Sequence, residues 1–422
     1  MKKAFFLLTL ICINLFAVDA SMEIIKKSDN LPKIEISIAS DTVNVEYINK
    51  IKKLLIQDLL VSGHFEAMSS NEKISFSSNP NMLGLKNRGV DLFLNLSIRE
   101  SSFGGLNLNI KLFDNNLMQL ILEKTISSSQ LERFPFVAHR AAIVINKHLN
   151  APSIDWMDKF VIFSVYKDAK EANIVIGDYT LTFQKTIIKG GLNIFPKWAN
   201  DKQDSFYYTT YRGSSPQLIK YNLYNRKVDY IMKSEGMIVC SDVNKDGSKL
   251  LITASPEGQP DIYLYDTKNK RKERLTTYKG IDVGAHFAEN DSKIVFVSDR
   301  LNHPNIFAKK INGRGVERLV YHGRNNSSAT TFDNYVVYSS RETQSEFTDN
   351  TFNLYLISLK SDFIRRLTTN GINQFPKFSN DGESVLFIKN YQNKSNVGII
   401  RLNYNKSFLF PLTSGKLQSI DW

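Results

Sequence analysis

The sequence predicts an α/β N-terminal domain followed by an all-β six-bladed propeller that the C-terminal strand closes. Three observations carry this. "FPKWANDKQDSFYY" from Phe195 is written almost again as "FPKFSNDGESVLFI" from Phe375. A large apolar residue ahead of a turn recurs at Trp156, Trp198, Val243, Phe287, Phe332, Phe378 and Trp422, at intervals of 42, 45, 44, 45, 46 and 44. Before Ala151-Pro152 that period is absent, and helical and strand patterns alternate instead.

Residues 1–20 read as a secretory signal. Lys2-Lys3 is followed by the uncharged run Ala4 to Ala17 and by the small-residue site Val18-Asp19-Ala20. That run is shorter than the roughly 20 residues a membrane span needs; an N-terminal anchor is the competing reading. The expectation is an exported chain from about Ser21, with no membrane-spanning segment. Cys12 falls in the signal and Cys240 stands alone, so no internal disulfide is expected and a packed core must supply stability. The net charge of +12 comes from scattered Lys and Arg without interleaved aromatics, which argues against nucleic acid.

Residues 21–32 are polar and carry no core period. Residues 33–150 form the α/β domain. "KIEISIAS" alternates with period two, as a one-sided strand does. Ile48, Ile51, Leu55 and Leu59 form a helical stripe that Gly63 can cap. Strands follow from Gly89, from Leu106 and from Leu117, and a second helix runs from Phe134 to Asn150. His139 and His148 are read as ordinary helix residues.

From residue 153 to residue 422 each repeat has the same parts. A turn such as "NKDG" or "NDGE" leads to a strand such as "KLLITAS", then to "DIYLYD" or "NIFAKK", then to an end such as "ERLT" or "RRLT". Four strands per 42–46 residues is a propeller blade, and six intervals give six blades. "SIDW" stands at Ser153 to Trp156 and again at Ser419 to Trp422. A ring avoids free edges when its ends pair, so the last strand is expected to complete the first blade.

Little points to catalysis. "DVNKDG" from Asp242 imitates a calcium loop, but its twelfth position is Thr253 rather than a glutamate, and a blade turn explains it better. There is no G-x-S-x-G elbow. His286, His303 and His322 have no ligand partners at metal spacing. The reading is of a non-enzyme with no metal and no cofactor.

The export signal, the small α/β domain ending in "FVAHRAAIVINKHLN", and six blades with "FPKW/FPKF…ND" turns and "RLT" ends resemble the TolB family, periplasmic propeller proteins of the Tol–Pal system. The chain departs in having "SNDG", "NKDG" and "ENDS" where the family often has "SPDG", in a shortened turn at Phe332 to Tyr335, and in its Lys26-Lys27 pair. The resemblance implies a monomeric interaction protein linking inner-membrane TolA to outer-membrane Pal and peptidoglycan, supporting outer-membrane integrity and constriction at division. Other outer-membrane proteins are further candidate partners. It implies that Pal meets the propeller rim, with Met237, Asp282, Val283, Asn325 and Asn373 as contacts. It also implies that TolA meets the N-terminal arm at Glu23, Ile24 and Ile25. The alternative is a periplasmic propeller enzyme or glycan-binding protein using the central funnel.

Overall fold

A computed structural model describes residues 31–42, 45–100, 104–342, 350–391 and 394–422. The signal segment and the expected TolA contacts Glu23, Ile24 and Ile25 lie outside the described residues.

The N-terminal domain is one five-stranded sheet with helices against it. β1 (Lys33–Ile38) is parallel to both β2 (Glu66–Ser69) and β3 (Leu92–Glu100); β4 (Leu106–Asp114) and β5 (Gln119–Ser128) continue antiparallel, in the order β2-β1-β3-β4-β5. The crossover from β1 to β2 is α1 (Val45–Ser62), whose Ile48, Ile51, Leu55 and Leu59 are fully buried. That is the face the three-and-four spacing defines. The short helix α2 (Met82–Asn87) and β2 have no strong period and were not legible in sequence. Helix α3 (Phe134–His148) packs beside α1 through Val137, Ala138, Ala141 and Ile145. Gly63 ends α1 at φ +82°, and the Tyr404 ring lies 2.9 Å from where a Cβ would stand. Only glycine meets both conditions.

Six four-stranded blades follow. Their innermost strands are Lys416–Asp421 for blade 1, Asn193–Trp198 for blade 2, Ile238–Val243 for blade 3, Asp282–Ala288 for blade 4, Asn326–Phe332 for blade 5 and Ile372–Phe378 for blade 6. Blade 1 is composite: the C-terminal strand pairs antiparallel with Val161–Tyr166, Leu417 opposite Val165 and Asp421 opposite Ile162. The ring closes as the repeat count requires.

One alignment position behaves differently. Trp156 does not enter a strand but sits in the 3-10 turn Asp155–Asp158, because the C-terminal strand already holds the inner place of blade 1. The two "SIDW" copies therefore adopt different structures and meet, with the Trp156 and Trp422 rings 5.2 Å apart. Trp422 is half-buried, and its indole N–H donates to the carbonyl of Phe378 in blade 6 at 2.8 Å.

The two domains share one core. Buried side chains of α1, α3 and the sheet run on without a break into Trp156, Tyr179, Leu181 and Phe410 of the propeller. A polar group is set into this apolar contact. His139 of α3 lies between Asp58 of α1 (Nδ1 to Oδ2, 2.8 Å) and Asp178 of blade 1 (Nε2 to Oδ2, 3.2 Å), all three fully buried. Tyr179 donates to Asp58, and the backbone N–H of Thr180 donates to Asp178 at 2.9 Å. His139 is thus a junction between domains rather than an ordinary helix residue. Burial opposes its charge, but the two carboxylates outweigh burial and raise its pKa to about 10.

Candidate functional site: the central funnel

Every innermost strand carries a bulge. Phe195, Ser328 and Phe375 take the left-handed conformation at φ 55°, 50° and 53°, and Gly284 does so at 62°. Blades 3 and 1 shift register between Cys240 and Asp242 and between Leu417 and Ser419. A bulge re-aims the side chains that follow it. Here the residue just before each repeat's apolar landmark reaches one common opening: Lys197, Asp242, His286, Thr331, Lys377 and Asp421. The repeated "FPK" therefore encodes a bulge and a ring lysine.

These side chains stitch neighbouring blades together. Trp198 N–H of blade 2 donates to Asp421 of blade 1 at 2.9 Å. Lys197 reaches Asp421 and Asp242, each at 3.2 Å. Asp242 accepts from the Phe287 N–H of blade 4 at 3.0 Å, and Thr331 of blade 5 donates to the Phe287 carbonyl. Ser339 of blade 5 donates to the Asn373 carbonyl of blade 6 at 2.6 Å, and Trp422 completes the circle back to blade 1.

The charges are not all directly paired. Burial opposes the Lys197 charge, yet Asp421 and Asp242 overcome it and hold its pKa above the usual lysine value. Asp242 is held well below the usual carboxylate range because Lys197 and His286 outweigh its burial. His286 stands 3.5 Å from Asp242, but burial and the nearby Lys377 charge bring its pKa down to about 4, so it is neutral at pH 7. Lys377 has no carboxylate within 4 Å among the described residues; burial and repulsion from Lys197 lower its pKa to about 8. At pH 7 Lys197 and Lys377 face Asp242 and Asp421, so the ring's formal charges balance; Lys377 is the lysine without a direct carboxylate contact.

Around the ring the opening widens into a funnel of about 780 Å³, walled by Trp156, Trp198, Phe287, Phe332, Phe378 and the blade turns at Asn200, Asn244, Asn290 and Asn380. The "DVNKDG" stretch is one of these turns: Asn244 accepts from Lys249 N–H at 2.8 Å, Asp246 accepts from Ser248 N–H at 2.9 Å, and Gly247 sits at φ +73°. Among the described residues no group of three or more metal-ligating side chains converges.

The sequence-derived rim residues lie at the starts of the inner strands, the opposite end of those strands from the ring. Ile238 to Val243 alone spans about 17 Å of strand. Met237, Val283 and Asn325 are partly exposed there. Asp282 and Asn373 are fully buried and structurally engaged. Asp282 takes Arg300 at 3.0 Å, and the Asn373 amide donates to the carbonyls of Phe352 and Asn370, each at 2.8 Å. Both occupy the repeat position, four residues before the ring, that Asn193 fills in blade 2; there the amide clamps the Gly190 carbonyl of the loop entering the strand at 2.9 Å. The ring itself was missed from sequence. Its signal was present, one residue ahead of the landmark used for alignment.

Residues 159–422 match the family model described as the TolB beta propeller domain. The chain belongs to the TolB family. Proteins named Tol-Pal system protein TolB are similar over nearly its full length. That of Wolinella succinogenes is 50% identical, covering 97% of each chain; that of Helicobacter hepaticus 44%, covering 98% of each; and that of Campylobacter jejuni 41%, covering all of both. The crystal structure of TolB from Acinetobacter baumannii shares the fold at a TM-score of 0.77 and 20% identity, covering 93% of this chain and 96% of that one.

Proposed function

We propose that this protein is a non-enzymatic, periplasmic interaction protein of the Tol–Pal system, joining the inner-membrane TolA complex to outer-membrane Pal and peptidoglycan. It would thereby support outer-membrane integrity and constriction during division. The observation that carries the reading is the funnel. Its polar ring is bonded blade to blade, and Lys377 stands in it without a direct carboxylate contact. The exposed blade-turn residues around it, Asp201, Lys245, Asn290 and Asn380 among them, are what a protein partner can use. The names of the family relatives supply the system. Within this reading Pal seats on the propeller, and the N-terminal arm pairs with TolA through Glu23, Ile24 and Ile25 by adding a strand to its sheet.

Calorimetric titration of the mature protein with the periplasmic domain of Pal tests the proposal. Saturable one-to-one binding is expected, lost in Lys377→Glu and kept in a Met237→Glu/Asn325→Glu variant. The reverse pattern would move the partner to the opposite face of the propeller. No binding by the wild-type protein would reject Pal as the partner.

A further inference from the structure

Asp291, in the first turn of blade 4, lines both the funnel and a second cavity of about 860 Å³ that runs outward between blades 3 and 4. The groove has a half-buried apolar floor, Leu264 and Ile311, which packs on the core between those blades. Its walls carry four exposed cations: Lys249, Arg271, Lys272 and Lys310. None of the four has a carboxylate within 4 Å among the described residues. Of the groove's own acids, Asp266 is turned into its hairpin, accepting the N–H groups of Lys268 and Asn269 at 2.9 Å each. Glu273 and Asp291 leave the groove net positive.

We propose that this groove binds an extended acidic segment of the protein that occupies the funnel. The inference rests on the funnel being a partner site and adds the partner's chemistry. An extended chain alternates its side chains with period two. One set of side chains meets the Leu264 and Ile311 floor while the other places carboxylates against the four cations. A concave groove between two blades suits a peptide rather than a bilayer, which needs a convex or flat contact.

The test uses a fluorescein-labelled deca-glutamate peptide and anisotropy at about 20 and about 150 mM salt. The full mature protein is compared with Lys249→Glu/Arg271→Glu/Lys272→Glu/Lys310→Glu and with a control of equal charge change, Lys124→Glu/Lys185→Glu/Lys233→Glu/Lys360→Glu. Expected is binding that weakens about tenfold or more with salt, drops about tenfold or more in the groove variant relative to the control, and is absent for deca-lysine. Equal affinity in the two variants, or no binding to the wild-type protein, overturns the proposal. Pal titrated on the same proteins separates the two readings. If Pal fails on every protein while the peptide still discriminates, the Pal assignment falls and the groove stands. If Pal binds the groove variant and the control with the same affinity and salt dependence, the groove is no part of the partner surface and this inference falls.

Discussion

His139 and His286 are both buried, and both sit beside aspartate, yet they end in opposite charge states. His139 lies between Asp58 and Asp178 at the domain interface, and its pKa rises to about 10. His286 meets Asp242 too, but that carboxylate is already used by Lys197, and Lys377 is nearby, so its pKa falls to about 4. Burial alone would make both neutral; the count of opposite charges within reach decides. At the interface the charges are consumed internally and fix the two domains. In the funnel two lysines face two aspartates, and both direct carboxylate contacts go to Lys197, none to Lys377.

The largest effect that can break this contrast comes from the ring that holds one half of it. Deleting residues 417–422 removes Asp421, unpairs the Val161–Tyr166 strand and exposes the core behind it; the melting temperature is expected to fall by about 10 °C or more. An unchanged melting curve would mean the ring does not need its C-terminal strand. Next, Asp178→Ala strands a buried imidazolium with one partner and should destabilise by about 3–5 kcal/mol in chemical denaturation. A loss under about 1 kcal/mol would show that the junction carries no charge.

The pH dependence separates the two histidines. The native His139 binds its proton up to about pH 10, the unfolded chain only to about 6.5. Its contribution is therefore complete below pH 6.5 and is lost as pH rises toward 10. His286 works on the other side. Between pH 6.5 and 4 the unfolded chain takes up a proton that the native site refuses, so stability falls as pH falls through that range. Lys377, at about 8 against an ordinary 10.5, adds stability as pH climbs between those values and partly offsets the His139 loss. The smallest effect follows: Lys377→Met should raise stability near neutrality by about 1 kcal/mol and steepen the alkaline loss. Denaturant midpoints measured across pH 4–10.5 in both proteins decide; parallel curves would refute the assignment of that offset.

The fold was legible where periodicity is strong. The stripe of α1, the six blades and the returning strand all follow from spacing, because a buried face or a paired edge imposes a period. Residues 64–88 form β2 and α2 with little periodic content, and these were missed. The funnel ring was missed because its members differ in kind, Lys, Asp, His and Thr, and only the common bulge makes them equivalent. Asp58, His139 and Asp178 lie 81 and 39 residues apart and belong to two domains; nothing short of tertiary packing brings them together. Asn373 shows the converse, a polar residue in a surface-like loop motif turned inward so that its amide clamps the entering backbone, while Asp282 at the same repeat position is turned inward to hold Arg300.

One NMR titration of imidazole nitrogens across pH 4–9 tests the arrangement most directly, since both histidine environments exist only if the ring closes and the α/β domain docks on it. His139 should stay doubly protonated throughout, while His286 stays neutral until the pH approaches 4. Both rings titrating together near pH 6.5 would contradict the closed ring and the docked interface alike.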